Sequence, residues 1–154
     1  MKIYEINTTQ FIAKPLEMVF DFFSKPENLE HITPSYLKFN LQTPSPVIMK
    51  IGQIIDYKIK LKGIPLRWRS QITSYDPPYH FVDEQIRGPY ALWQHTHTFK
   101  EKNGTTLIED HILYKIPFGI IGSAANSLFV KKDLTRIFQY RKEKINLIFG
   151  KEFN

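Results

Sequence analysis

Apolar and polar residues alternate singly through much of the middle of the chain. The alternation is cleanest at Trp93-Gln94-His95-Thr96-His97-Thr98-Phe99. A period of two belongs to a strand, where successive side chains point to opposite faces. Trp93, His95, His97 and Phe99 share one face, and Gln94, Thr96 and Thr98 share the other. The face carrying Trp and Phe is the one that turns inward, so it takes two imidazoles with it. Downstream, Lys102-Asn103-Gly104-Thr105 predicts a tight hairpin with Asn-Gly at its tip. Folding back about that turn sets Phe99 opposite Ile108 and His97 opposite Asp110. An inward His–Asp pair among aromatic residues suits a ligand cavity or a general acid/base site better than an ordinary core.

The remaining pattern predicts the other elements. Residues 2–12 read as a first strand, and Pro15 opens a short helix with Leu16, Val19, Phe20 and Phe23 at helical spacing. Ser24-Lys25-Pro26-Glu27 has the form of a capping box, with Ser24 as N-cap of a second short helix that Thr33-Pro34 ends. A strand is expected near residues 37–43, followed by a turn through Pro44 and Pro46. From Gln53 to Lys62, Ile55, Tyr57, Ile59 and Leu61 face one way and Asp56, Lys58, Lys60 and Lys62 the other; Gly63-Ile64-Pro65 then turns the chain. Leu66 to Tyr75 puts Trp68, Ser70 and Ile72 inward, with Arg67 and Arg69 outward toward acids such as Glu84 or Glu109. Asp76-Pro77-Pro78 leads into Phe81, Asp83 and Gln85, and Gly88-Pro89 into the histidine strand. Ile108, Asp110, Ile112, Tyr114 and Ile116 share a face of the last strand.

Pro117 to Gly122 reads as a flexible apolar connection. Ser123 is the expected N-cap of a long terminal helix reaching about Ile148, with Leu134, Ile137, Phe138, Ile145 and Ile148 on one side and bases on the other. One sheet and one long amphipathic helix bury both apolar faces only if the sheet curls around the helix. The expected class is α+β, one domain over residues 1–154, with a space of roughly 300–1,000 Å³ between sheet and helix.

Composition narrows the chemistry. The chain has 154 residues, 42% of them hydrophobic, which argues against disorder. It has no cysteine, which excludes disulfides, thiol nucleophiles and thiolate metal sites. The start, Met1-Lys2-Ile3-Tyr4-Glu5, lacks a signal-peptide apolar run, and a cytoplasmic protein is expected. The net charge of +6 is concentrated late: from Ser123 onward there are seven bases (Lys131, Lys132, Arg136, Arg141, Lys142, Lys144, Lys151) against three acids (Asp133, Glu143, Glu152), or +4. A solvated outer face accounts for this; contact with an anionic membrane or an acidic partner is the alternative, an interaction module acting through the basic helix. No RNA-binding signature is present, so nucleic acid is set aside.

The order of elements, with three segments, resembles the START-like, Bet v 1-like (SRPBCC) superfamily, and within it bacterial polyketide cyclase/dehydrase-type ligand-binding proteins. The segments are Pro15–Pro34 (PLEMVFDFFSKPENLEHITP), Gly63–Phe99 (GIPLRWRSQITSYDPPYHFVDEQIRGPYALWQHTHTF) and Leu128–Arg141 (LFVKKDLTRIFQYR). The resemblance implies the helix-grip fold and a deep cavity for lipids, quinones, polyketides or similar molecules. Some members are cyclases, but the superfamily has no single catalytic motif to carry over.

The predicted inner face holds Tyr57, Trp68, Ser70, Asp83, Gln85, Trp93, His95, His97, Asp110 and Tyr114, too polar for a closed core. An unpaired buried carboxylate costs several kcal/mol, so these groups are paired or meet a polar ligand end. The leading reading is a non-catalytic protein that binds a largely apolar small molecule. Trp68, Trp93, Phe99 and Tyr114 form the wall, and His95, His97, Asp83 and Asp110 meet the polar end. The enzymatic alternative is a cyclase or dehydratase with His97 as base held by Asp110, and Tyr57, Trp68 or Gln85 as donors to a developing enolate. A purely structural His97–Asp110 pair is a further reading. His-x-His with Asp110 or Asp83 has the makings of a metal site, but this spacing recurs by chance, and no metal or other cofactor is expected.

Overall fold

The computed structural model describes residues 2–150. Met1 and residues 151–154, including Lys151 and Glu152 of the basic tail, lie outside the described residues. β1 (Tyr4–Ile12) is followed by helix α1 (Leu16–Phe23), two 3₁₀ turns (Pro26–Ile32 and Ser35–Leu37) and a two-residue strand β2 (Asn40–Leu41). Five long strands follow: β3 (Ile54–Leu61), β4 (Ile64–Asp76), β5 (His80–Arg87), β6 (Leu92–Lys102) and β7 (Thr105–Lys115). The chain ends in α2 (Gly119–Ala125), a π-helical turn (Asn126–Val130) and α3 (Lys131–Gly150), which run on as one long helix.

The seven strands form one antiparallel sheet in the order β1-β7-β6-β5-β4-β3-β2. Register shifts between β4 and β5, at Arg69/Ser70 and Ile72/Ser74, insert unpaired residues, and such bulges bend a sheet. The curved sheet grips the terminal helix, as the α+β helix-grip expectation requires. Leu134, Phe138, Ile145 and Phe149 are the buried residues of α3. Ile145 and Phe149 join a core with Phe20, Phe81 and Phe99 at one end, and Leu134 and Phe138 join Trp68, Trp93, Ile112 and Tyr114 at the other. Among the described residues no helix is long and apolar enough to cross a membrane.

The β6–β7 hairpin matches the sequence reading, with Asn103 and Gly104 both at positive φ (54° and 75°) as a two-residue primed turn demands. Phe99 faces Ile108 and His97 faces Asp110 in the ladder. Other details differ. The β3–β4 turn falls on Lys62-Gly63, also at positive φ (50° and 80°), so Ile64 and Pro65 start β4. Ser24 ends α1 instead of starting the next element: its amide donates to Phe20 O at 2.9 Å, and its hydroxyl to Asp21 O. Glu27 does not reach back; its carboxylate accepts the Val47 amide at 2.7 Å and ties down the proline loop. The strand expected near 37–43 shrinks to Asn40–Leu41, because the 3₁₀ turn at 35–37 precedes it. Ser123 is no N-cap, since α2 has already begun at Gly119 after Phe118 takes a left-handed turn (φ 75°). Arg69 pairs with Asp56 on the adjacent strand at 2.7 Å, not with Glu84 or Glu109.

Candidate functional site

β6 has the strict burial alternation that its sequence predicts, and His95 and His97 are only 4% and 7% exposed. Their partners come from the strands on either side. His97 Nε2 donates to Asp83 Oδ2 on β5 at 2.7 Å, and its Nδ1 lies 3.3 Å from Asp110 Oδ1 on β7. His95 Nε2 donates to the same Asp110 oxygen at 2.8 Å. The other Asp110 oxygen accepts the Thr8 hydroxyl at 3.3 Å. The expected His97–Asp110 pair is therefore one link of a four-residue chain, Asp83–His97–Asp110–His95. Asp110's short bond goes to His95, not to the residue opposite it.

The two rings stack with centroids 3.7 Å apart. His97 also stacks on Phe81 at 4.0 Å, and His95 meets Phe138 edge-on at 5.8 Å. The polar chain is thus a layer between the two apolar cores. Burial opposes charge on every member, yet the outcomes diverge. Burial and the neighbouring His97 push the His95 pKa down, favouring neutral imidazole. For His97, burial is outweighed by hydrogen bonds to Asp110 and Asp83, and its pKa rises. The same bonds overcome burial at Asp83 and hold Asp110 well below the usual carboxylate range. These directions favour the charged form at His97, between two carboxylates, and the neutral form at His95.

The ligand atoms of Asp83, His95 and His97 lie within 4.8 Å of one another. Each is already engaged in the hydrogen-bonded chain, and a metal would have to displace the protons that hold it together.

The apolar space lies toward the other end of the helix. A cavity of about 110 Å³ is walled by Tyr57, Trp68, Tyr90, Trp93, Leu134 and Phe138 among others. It is smaller than the sequence expectation because aromatic rings fill the concavity: Tyr57 stacks on Trp68 at 5.7 Å, and Trp68 meets Trp93 edge-on at 5.4 Å. A groove of about 400 Å³ runs between β1 and α3, and Asp110 opens onto it. A larger hollow, about 1,200 Å³, is an open cleft between the 3₁₀ turns and the end of α3, where Ile148 lies.

Of the predicted site residues, Tyr57, Trp68 and Trp93 line the aromatic cavity. The rest stand elsewhere. Asp83, His95, His97 and Asp110 form the polar layer, with Asp110 at the edge of the β1–α3 groove. Phe99 sits in the other core, 1% exposed and edge-on to Phe20 at 5.1 Å, so it is not a cavity wall. Tyr114 packs behind Trp93 and donates its hydroxyl to the buried Asn126 at 2.8 Å. Gln85 is spent on the backbone of Tyr90: its amide nitrogen donates to Tyr90 O at 2.7 Å, and its oxygen accepts the Tyr90 amide at 3.2 Å. Gln85 therefore fixes the loop that supplies Tyr90 to the cavity wall.

Arg141 is a site residue that the sequence reading misses, since it counts there among outward bases. It falls on the inward stripe between Phe138 and Ile145, lines both the aromatic cavity and the β1–α3 groove, and lies over the Phe138 ring at 5.1 Å. The spacing 134, 138, 141, 145 carries the signal.

No curated protein matches the chain. Solved structures match its fold at low identity. Protein Ms6760 of Mycobacterium smegmatis aligns over 99% of this chain and 98% of its own, with a TM-score of 0.68 and 13% identity. TTHA0849 of Thermus thermophilus aligns over 94% and 99%, at 0.64 and 15%. Major latex-like protein 151 of Panax ginseng aligns over 96% and 97%, at 0.65 and 11%. The family model "Polyketide cyclase / dehydrase and lipid transport" matches residues 12–141, and the chain belongs to that family.

Proposed function

We propose that this protein binds a largely apolar small molecule, of lipid, quinone, polyketide or isoprenoid type, between the sheet and the terminal helix, and that it does so without transforming it. The observation that carries this reading is the separation of two kinds of interior. Aromatic and aliphatic side chains line the cavity, and the proton-carrying groups sit in a layer of their own. Neither His95 nor His97 lines the aromatic cavity, the β1–α3 groove or the open cleft, and both His97 nitrogens face carboxylates. A buried charge chain in which each carboxylate meets an imidazole supports strand register more than turnover.

The test uses N-phenyl-1-naphthylamine, a neutral probe whose emission rises in apolar surroundings. Wild-type protein should bind it saturably. Ile137→Trp, which puts a large ring at the cavity wall, should abolish binding while the protein stays folded. Absence of saturable binding, or equal binding by the variant, defeats the reading.

A cyclase or dehydratase is the second reading, and one observation favours it. His95 is pushed toward the neutral form, donates through Nε2 to Asp110, and its Nδ1 makes no hydrogen bond among the described residues. A carboxylate-oriented neutral imidazole is the form a general base takes. The base is then His95, with Asp110 orienting it, and not His97. Chemical conversion of a bound compound, lost in His95→Gln, would establish this reading over the first.

A further inference from the structure

Arg141 is a half-buried cation at the cavity wall that makes no hydrogen bond or ion pair with the described residues. Its Nε is buried and has no hydrogen-bond acceptor. It lies over the Phe138 ring at 5.1 Å, and its charge favours the ionised form of Asp83. The two nearby carboxylates are occupied: Asp83 holds His97, and Asp110 holds both histidines and Thr8. Arg141 is also the one charged side chain among the described residues that line the aromatic cavity.

A guanidinium is always charged and presents N–H donors in a planar fork that matches a carboxylate. Leaving the buried Nε–H unmatched beside an aromatic wall is unfavourable, and a bound acceptor would relieve it. Pockets of this kind are mostly apolar with a few placed polar groups that fix orientation. Resting on the binding function proposed above, we infer that the ligand carries a carboxylate on its apolar body. Arg141 receives that carboxylate while Tyr57, Trp68, Tyr90 and Trp93 pack the body.

The chain has two tryptophans, Trp68 and Trp93, and both line this cavity. Fluorescence excited selectively at tryptophan therefore reports on the site. The probes are 2-naphthoate and 2-naphthamide, which share a shape and differ in charge, titrated by tryptophan quenching and calorimetry. Wild-type protein should prefer the naphthoate by at least about tenfold, the worth of a charge-assisted hydrogen bond. Arg141→Met should erase that preference while the folded protein still binds naphthamide measurably. Arg141→Lys should keep a reduced preference. Equal wild-type affinity for the two probes overturns the inference and leaves the binding function standing, as does an Arg141→Met that loses both alike. Failure of wild type to bind either probe removes the binding function and this inference with it.

Discussion

His95 donates to Asp110 across 2.8 Å, although His97 is the residue that stands directly opposite Asp110 in the β6–β7 ladder. Register sets backbone neighbours, while the reach of an imidazole extends diagonally to the next inward position. His97, displaced from the short bond, turns its Nε2 to Asp83 on the other flank at 2.7 Å. Three strands are stitched together through one buried layer.

That layer predicts a stability profile with opposite slopes on its two sides. His97 has a raised pKa when folded, so its contribution is complete below the unfolded value of about 6.5 and is lost as pH rises through the folded value. His95 has a lowered pKa, so stability is lost as pH falls below about 6.5 toward its folded value. Asp83 and Asp110, both lowered, add a further loss below about pH 3.9 as pH falls through their folded values. Urea unfolding across pH should give a maximum near neutrality. His97→Gln should flatten the alkaline limb and His95→Gln the mildly acidic one. Asp83→Asn should cost roughly 1.5–3 kcal/mol at pH 7, the scale of a hydrogen bond to a charged group. A profile unchanged by all three substitutions would contradict the assignment.

The Gln85–Tyr90 clasp should control the cavity wall from a distance. A Cβ at Gly88 would fall on the Gln85 amide, 2.7 Å from its Cδ and closer still to Oε1. Gly88→Ala must therefore displace a side chain that is already bonded at both ends. Both Gly88→Ala and Gln85→Leu should cost about 1–3 kcal/mol through unsatisfied groups at Tyr90, and both should weaken N-phenyl-1-naphthylamine binding. Unfolding curves and titrations that match wild type would show that the loop does not need the clasp.

The fold was legible because its signals are local: alternation in β6, the Asn103-Gly104 turn, and the helical stripe after Leu134. The site was half legible. Inward facing of Trp68, Trp93, His95, His97 and Asp110 follows from period two alone. Which carboxylate each imidazole takes does not, because that depends on side-chain reach across three strands. Phe99 shares a face with Trp93 but lies six residues along, about 20 Å in an extended strand, so one face serves two different cores. Arg141 was obscured by the bases around it, since a basic residue at an inward position reads as surface until the helix phase is fixed. Ser24 and Ser123 carry capping chemistry, but the first ends α1 and the second falls inside α2.

Phe99 should separate stability from binding. Its ring is 1% exposed among Phe20, Phe23 and Phe81 and does not line the aromatic cavity. Phe99→Ala should cost about 3–5 kcal/mol of stability, and naphthamide affinity measured under folding conditions should stay within about twofold of wild type, the scatter expected of a distant site. Selective loss of binding without loss of stability would return Phe99 to the ligand site.

Chelator treatment should leave melting and probe binding unchanged, because a proton bridges His97 to Asp83 and His95 Nε2 is held by Asp110. Elemental analysis of protein purified without chelator checks this directly. Near-stoichiometric zinc, iron or manganese would contradict it.

Native mass spectrometry of the purified chain, with identification of whatever leaves on denaturation, tests the binding function most directly. The expected result is a discrete apolar compound bearing a carboxylate, retained by wild type, depleted in Ile137→Trp, and recovered chemically unchanged. Protein that carries no compound even after incubation with a lipid extract, or a compound recovered in altered form, would contradict it.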